Sequence, residues 1–211
     1  MSKRPASRTP SPSTPVPIAV RLAQNGILSA AVGVFAKKGA VATRVEDLLK
    51  AADVARRTFY KYFSNKDDVL VALYQLATGE LVRAVQSSGL QSADPLQGLH
   101  RGIDFYLDYH VGNAALIKVL VEHAIPSESP MAPLRRRFRE QLIELLASAA
   151  ERATGQRADP LTYTALLAAL EGTSLYLVED GEAPSPAAIA RAKKVMHTML
   201  DRVIGVAERP R

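Results

Sequence analysis

Apolar residues recur along most of the chain at three- and four-residue spacing, which is the period of an amphipathic α-helix. Between residues 27 and 35, for example, Ile27, Ala31, Val34 and Phe35 fall on one helical face. Runs that alternate apolar and polar residues are lacking, and β-branched residues are scattered, so the pattern predicts no strand. The fold class that follows is all-α.

Clusters of turn and breaker residues divide this pattern into nine predicted helices. The first runs from about residue 19 to a stop at Gly39, a second short helix carries Val45 to Ala52, and a third covers about 56–62. A longer fourth helix follows residue 64. The remaining five are predicted at about 95–110, 113–124, 131–153, 159–180 and 185–206.

Two sequence pairs have the spacing of a helix-capping box, in which each side chain satisfies a backbone amide of the other residue. Thr43 and Glu46 would open the second helix in this way, and Ser64 and Asp67 the fourth. Two short helices joined by a tight turn then lie between two longer ones. This arrangement predicts a helix-turn-helix, whose second helix can enter the DNA major groove.

The predicted second helix lies in the stretch "ARRTFYKYFSNKDDVL", residues 55–70, which mixes basic and aromatic residues. On a helical period Phe59 and Phe63 share one face and should pack inward, which leaves the basic residues for DNA. Arginine matches the acceptors of guanine, whereas tyrosine and lysine can reach phosphate oxygens. The predicted base readers are Arg56, Arg57 and Thr58, and the predicted backbone contacts are Tyr60, Lys61, Tyr62, Thr43, Arg44 and Lys66. Simple packing is the alternative for the tyrosines, and a solvated charged face for the two arginines.

The net charge of +6 is concentrated in the same part of the chain. Residues 1–80 contain 12 Lys and Arg against 6 Asp and Glu, whereas the remainder contains 15 of each. This asymmetry favours a polyanionic partner for the N-terminal part. Residues 1–17, rich in Pro and Ser, are predicted to be a disordered arm, either a passive tail or a basic segment that seeks phosphates.

Several functional classes are disfavoured by the composition. The chain has no cysteine, and its four histidines lack the spacing that places two metal ligands on one helix face, so neither a metal nor a cofactor is expected. No Gly-rich phosphate loop or nucleophile with a base is evident, so an enzyme is not predicted. No apolar run approaches the roughly 20 residues that cross a bilayer, and no secretion signal is present, which predicts a cytoplasmic protein without membrane contact.

The segment from Arg21 through "ILSAAVGVFAKKGAVATRVEDLLKAADVARRTFYKYFSNKDDVLVAL" resembles the DNA-binding domain of the tetracycline-repressor (TetR) family of bacterial transcription regulators. The resemblance covers about 55 residues and includes "TFYKYF" as recognition helix. It implies a helix-turn-helix domain at about 18–65, with the motif itself at about 44–63. It also implies a C-terminal helical domain at 66–211 that binds a ligand and forms dimers.

Two positions depart from the family pattern Ala-Gly-Val-Ser in the turn, where this chain has "ADVA" at 52–55. Asp53 can adopt the left-handed conformation of the usual glycine at some cost. Ala55 removes the side-chain cap of the recognition helix, a loss of about 1 kcal/mol.

In the C-terminal part, the apolar seams of the eighth and ninth helices predict a four-helix bundle between two protomers, with internal packing as the alternative. The predicted interface residues are Leu170, Leu177, Ile189, Met196, Met199 and Val203.

Polar-tipped and aromatic residues of the fifth, sixth and eighth helices are candidates for a ligand pocket. They are Phe105, Tyr106, Tyr109, His110, His123, Tyr163, Glu171 and Tyr176. The basic run "RRRFR", residues 135–139, is either a second anionic site or a set of exposed pairs with Glu140, Glu144 and Glu151.

These observations together predict a homodimeric DNA-binding regulator, a repressor in its simplest form, that releases a palindromic double-stranded operator when an unidentified small molecule binds. The alternatives are a helical small-molecule-binding protein that has lost DNA binding, and a regulator of the same architecture that activates. The sequence does not indicate the operator, the effector or the target genes.

Overall fold

The computed structural model describes residues 18–89, 93–179 and 183–205. These ranges contain nine α-helices and no strand, in agreement with the predicted fold class. The helices are α1 (Ile18–Ala42), α2 (Val45–Ala52), α3 (Arg56–Tyr60), α4 (Lys66–Gly89), α5 (Pro95–Gly112), α6 (Ala114–Ala124), α7 (Ala132–Thr154), α8 (Pro160–Tyr176) and α9 (Pro186–Val203). The predicted arm at residues 1–17 lies outside the described residues. None of the helices in the described ranges is long and apolar enough to cross a membrane.

The start of α2 differs from the predicted capping box. Gly39 leaves helical geometry near the end of α1 with φ 72° and ψ 167°, and the Thr43 hydroxyl donates to its carbonyl over 2.6 Å. The cap of α2 is instead formed one residue later, where the Arg44 backbone N–H donates to the Asp47 carboxylate over 3.0 Å. The prediction of a capping box between Thr43 and Glu46 was therefore wrong, because the chain turns at Gly39 and the Thr43 hydroxyl is bonded to the Gly39 carbonyl.

The predicted pair at the start of α4 is also shifted by one residue. The Asp68 backbone N–H donates to the Asn65 side chain over 2.9 Å, and the Ser64 backbone N–H donates to the Asp68 carboxylate over 2.8 Å. Asp67 takes no part in this reciprocal arrangement. Spacing alone cannot separate two overlapping capping patterns, since Ser64 and Asn65 are both residue types that cap helices.

The N-terminal core reaches beyond the helix-turn-helix. Phe35 from α1, Leu48 from α2, Phe59 from α3 and Leu70 from α4 pack in one buried cluster. The same cluster includes Leu120 of α6, together with its neighbours Val119 and Ala124. Consequently α6 is joined by apolar packing to the helices of the proposed DNA-binding domain.

A second core is formed by α5, α7, α8 and α9, and its buried members include Leu107, Ala149, Tyr163 and Leu200. Tyr163 is fully buried, and its hydroxyl accepts a hydrogen bond of 2.9 Å from the Ala158 backbone N–H in the loop before α8. The α8 helix ends at Tyr176, earlier than the predicted residue 180, and a turn follows it.

Candidate functional site

The short helix α3 is fixed by its aromatic face. Phe59 is fully buried, and its ring contacts those of Tyr60 and Phe63 at centroid distances of 5.5 and 5.7 Å. Phe63 is buried as well, so the prediction that these two phenylalanines pack inward is confirmed. A five-residue helix is marginal by itself, and this packing is what holds its other face toward solvent.

The turn before α3 has the conformation anticipated for its unusual residues. Asp53 is left-handed, with φ 50° and ψ 49°, and the Val54 backbone N–H donates to the Leu49 carbonyl over 3.2 Å. Ala55 precedes α3 in an extended conformation and offers no side-chain cap. The turn therefore forms without the usual glycine and serine, at the cost of backbone strain and an uncapped helix start.

The outward face of α3 and the start of α2 carry exposed cations. Arg44, Arg57 and Lys61 are all exposed, and Tyr60 is 48% exposed. Thr58 is half-buried at the edge of this surface. We refer to Arg44, Arg56, Arg57, Thr58, Tyr60 and Lys61 as the basic face.

Arg56 is held in this face by an acidic neighbour. Its guanidinium donates to the Glu46 carboxylate of α2 over 2.7 Å, and both side chains are 60% exposed. Hydrogen bonds from its own backbone amide and from Arg56 lower the pKa of Glu46 below its usual range. The carboxylate therefore stays charged and orients the arginine across the helix-turn-helix.

Three predicted DNA contacts are placed differently from expectation. Thr43 is buried and bonded to Gly39, so its hydroxyl is withdrawn from the basic face. Tyr62 is half-buried against the N-terminal core, with the Lys61 ammonium 5.5 Å from its ring centre, which fits the packing alternative.

The third displaced residue is Lys66, at the first position of α4. Its ammonium donates to the backbone carbonyls of Ala40, Val41 and Thr43 over 2.7, 3.1 and 3.0 Å. An ammonium has three protons, and here each has a carbonyl partner. Lys66 is therefore a clamp on the link between α1 and α2 rather than a group that is available for phosphate.

The seam predicted for dimerisation is divided between core and surface. Met196 and Leu177 are buried in the second core, and Leu170 and Ile189 are half-buried, so the first two cannot meet a partner. Met199 and Val203 are exposed. Two residues that the sequence interpretation missed complete the exposed apolar surface, Val195 of α9 at 56% and Leu161 of α8 at 71% exposure.

Tyr176, predicted in the ligand pocket, belongs to this surface instead, with 76% of its area exposed at the end of α8. Between Leu161 and Tyr176 the exposed positions of α8 are small, namely Ala165, Ala168 and Gly172. These positions follow the helical period, so they form a flat stripe of small residues along one side of α8. We refer to Leu161, Tyr176, Val195, Met199 and Val203 as the outer face of α8 and α9.

A cavity of about 90 Å³ lies among α4, α5, α6, α7 and α8. Of the predicted ligand residues, Tyr106, Tyr109, His110 and Glu171 line it. Phe105 packs beside Leu81 and Tyr106, and Tyr163 is sealed in the second core. His123 is bonded through Nδ1 to the Val119 carbonyl of its own helix and does not line the cavity.

Part of the run at 135–139 turns toward this cavity, which differs from the alternative of exposed pairs with Glu140, Glu144 and Glu151. The Arg139 guanidinium donates to the Glu171 carboxylate, and a guanidinium nitrogen of Arg135 lies 3.7 Å from the same carboxylate. Glu144 and Glu151 instead pair with Arg157. Helical spacing within α7 could not reveal this, because the partner acid is on α8.

Burial alters the ionisation of groups around the cavity. Desolvation lowers the pKa of His110 to about 4, against the opposing effect of its hydrogen bond to the Tyr106 carbonyl, so the imidazole is neutral near pH 7. Desolvation also raises the pKa of Tyr74 to about 12, and it raises the pKa of Tyr106 further. Both phenols therefore remain neutral, and the charges that line the cavity belong to Arg135 and Glu171.

Comparison with known proteins agrees with this geometry. Residues 27–73 match the family model described as bacterial regulatory proteins of the tetR family. The HTH-type transcriptional repressor NicS of Pseudomonas putida is 30% identical over 97 residues, which are 46% of each chain. The fatty acid metabolism regulator protein of Bacillus subtilis is 37% identical over 60 residues, 28% of this chain and 31% of the relative. The chain thus spans about half the length of the first relative and a third of the second.

Solved structures extend the likeness over most of the chain. The TetR family transcriptional regulator PfmR of Thermus thermophilus is 28% identical, with 87% of this chain and 99% of the other covered and a TM-score of 0.62. The fatty acid degradation regulator FadR of Bacillus halodurans is 25% identical, with 84% and 93% covered and a TM-score of 0.71. A helix-turn-helix protein is the class that the fold and the basic face define. Residues 27–73 match the tetR family of bacterial regulatory proteins, and most of the chain is similar in structure to solved TetR-family regulators.

Proposed function

We propose that the chain is a homodimeric, DNA-binding transcriptional regulator, a repressor that leaves a palindromic operator when a small molecule enters the cavity. The observation that carries this proposal is the basic face of α3, which is exposed because Phe59 and Phe63 anchor the opposite side in the core. A helix held in this way can enter the major groove while α2 braces it. The related repressor NicS supports the direction of regulation.

Within the basic face, the residues have different proposed roles. Arg57 is exposed at the second position of α3 and is the proposed reader of a guanine edge, together with Arg56 and Thr58. Tyr60 and Lys61, farther along the chain, and Arg44 at the start of α2 are proposed to contact the phosphate backbone. Phosphate contacts set affinity and its salt dependence, whereas base contacts set sequence preference.

A two-fold dimer would bring two copies of α3 to successive major grooves. We assign the dimer contact to the outer face of α8 and α9, since these apolar side chains would otherwise remain in water. The small residues of the α8 stripe would allow the partner helices to approach closely. Compared with the interface predicted from the sequence, this assignment leaves out the buried Met196 and Leu177 and adds the exposed Val195 and Leu161.

The proposed response to a ligand uses α6. Ile117, Leu120 and Val121 of this helix line the cavity, and Leu120 is also part of the N-terminal core. A ligand that favours one position of α6 would therefore act on α1 through direct packing. A shift of the DNA-bound population requires that the ligand bind the two conformers with different affinity.

The test is fluorescence anisotropy of the full chain with the DNA that flanks its own gene and with random DNA, over a salt series that spans about a six-fold range of concentration around the physiological value. Arg57→Ala should weaken operator binding by about 1 to 3 kcal/mol and reduce the preference over random DNA. Arg136→Ala, which removes an exposed arginine of α7, is the matched control and should leave both affinities unchanged. Equal losses on both DNAs for Arg57→Ala would contradict the base-reading role.

A further inference from the structure

One end of the cavity carries more positive than negative charge. Arg139 and Arg135 both face the carboxylate of Glu171, and all three side chains are largely shielded from solvent. Among the described residues that line the cavity, Glu171 is the one acid. Since His110 is neutral, two positive charges and one negative charge leave an excess of one positive charge at this end.

The two arginines are not equally paired with Glu171. Arg139 donates directly to Glu171, whereas the guanidinium nitrogen of Arg135 is 3.7 Å away and lies beyond hydrogen-bond distance of the carboxylate. Arg135 lines the cavity, and its charge acts on the hydroxyls of both Tyr74 and Tyr106. A charge that is poorly hydrated and incompletely paired is stabilised by an added counterion. An anionic group with a planar pair of oxygens matches the donor geometry of a guanidinium.

A second cavity of about 60 Å³ lies on the other side of Tyr106. Its lining is aliphatic and includes Leu99, Ile103, Leu166 and Met196. Tyr106 lines both cavities, and its ring stacks on that of His110 at a centroid distance of 4.1 Å. A rotation of this ring would join a polar, cationic compartment to an apolar one.

We infer that the effector is an amphipathic carboxylic acid, whose carboxylate binds at Arg135 and whose apolar chain passes Tyr106 into the aliphatic cavity. The inference rests on the proposed regulatory role of the cavity and specifies its ligand class. Glu171 then keeps Arg139 oriented, while Arg135 supplies the donors that the carboxylate uses. The neutral phenol of Tyr74 can donate a further hydrogen bond.

Calorimetric titration of the full chain without DNA tests this inference, with octanoate as the probe and octan-1-ol, octylamine and acetate as comparisons. Octanoate should bind at least about ten-fold more tightly than octan-1-ol, because its carboxylate can accept charge-assisted hydrogen bonds from Arg135 that the neutral alcohol cannot match. Acetate should bind far more weakly than octanoate, since it cannot fill the aliphatic cavity. Equal binding of octan-1-ol, or tighter binding of octylamine, would overturn the inference.

Arg135→Gln should abolish the preference for octanoate over octan-1-ol. Arg136→Gln, an exposed neighbour on the same helix, is the control and should retain that preference. Thermal unfolding of both variants verifies the fold, and a folded Arg135→Gln protein with an unchanged preference would contradict the assignment.

Because these titrations contain no DNA, they separate the ligand class from the regulatory proposal. If octanoate binds but does not change the affinity for the operator, the assigned ligand class is supported and the proposed role of the ligand as an effector is contradicted. Selective operator binding together with no octanoate binding would overturn the ligand class alone.

Discussion

The guanidinium of Arg56 on α3 and the carboxylate of Glu46 on α2 form an ion pair of 2.7 Å across the helix-turn-helix. An acid in a surface proposed to face DNA reduces non-specific attraction to phosphates. It also limits the orientations of an arginine proposed to read bases. The pair therefore sets a balance between affinity and selectivity.

Glu46→Gln should raise the affinity for random DNA and lower the ratio of operator to random binding, because the repulsive charge is removed and Arg56 loses its orienting partner. Stability should change by less than about 1 kcal/mol, since the pair is exposed. Anisotropy titrations with both DNAs measure the ratio. Glu140→Gln makes the same charge change on α7 and should not alter it; a preserved ratio in Glu46→Gln would show that Arg56 needs no orientation.

Lys66→Met should destabilise the chain by about 1.5 to 3 kcal/mol, because three carbonyls at the link between α1 and α2 lose a charged donor. Urea denaturation followed by circular dichroism measures the change in the free energy of unfolding. Lys61→Met, which removes an exposed lysine after α3, should have little effect on stability. If both variants are equally stable, Lys66 returns to the group of candidate phosphate contacts.

Ala55→Ser should stabilise the chain by about 1 kcal/mol, because a serine hydroxyl can accept from the uncapped amides at the start of α3. For a chain of this length the melting temperature should rise by about 2 to 4 °C. Ala55→Val tolerates the extended backbone but offers no acceptor, so it serves as the control. A serine variant that melts with the valine variant would mean that these amides already have partners in solution.

His110 should make stability depend on pH. Its pKa in the folded chain is about 4, below the unfolded value of about 6.5, so the unfolded chain binds more protons between these values. The contribution is complete above about pH 6.5 and is lost as the pH falls toward 4, with about 2 kcal/mol lost between about pH 7.5 and pH 5.

The measurement for His110 is urea denaturation at about pH 7.5 and about pH 5 for the native chain and for His110→Phe. The carboxylates titrate in both proteins, so the difference between the two pH dependences isolates the histidine. The variant should lose about 2 kcal/mol less than the native chain on acidification. Identical pH dependences would show that the imidazole becomes hydrated in solution.

Val195→Glu should dissociate the proposed dimer, because a charge would be buried without a partner in each protomer. The dimer dissociation constant should rise by more than about 100-fold. Sedimentation velocity over a concentration series gives the constant. Leu76→Glu changes a similarly exposed apolar residue of α4 and should leave the association intact; dissociation by both substitutions, or by neither, would argue against the outer face of α8 and α9.

The sequence by itself determined the helical architecture and the position of the helix-turn-helix. Breakers such as those around Gly39 and Gly155 interrupt the helical period wherever the backbone must leave it, so the nine helices of the described ranges could be counted from the pattern. The inward packing of Phe59 and Phe63 was also predictable, because the two residues lie one helical turn apart, although α3 itself ends at Tyr60.

Only the tertiary structure decided which helical face meets which neighbour. Met196 and Val195 are adjacent and both apolar, yet one is buried in the second core and the other is exposed. Arg139 and Glu171 lie on different helices, and their pairing depends on how α7 packs against α8. Periodicity shows that a helix has an apolar face, but the partner of that face depends on contacts between residues distant in sequence. The same contacts formed the cavity and withdrew Thr43 and Lys66 from the basic face.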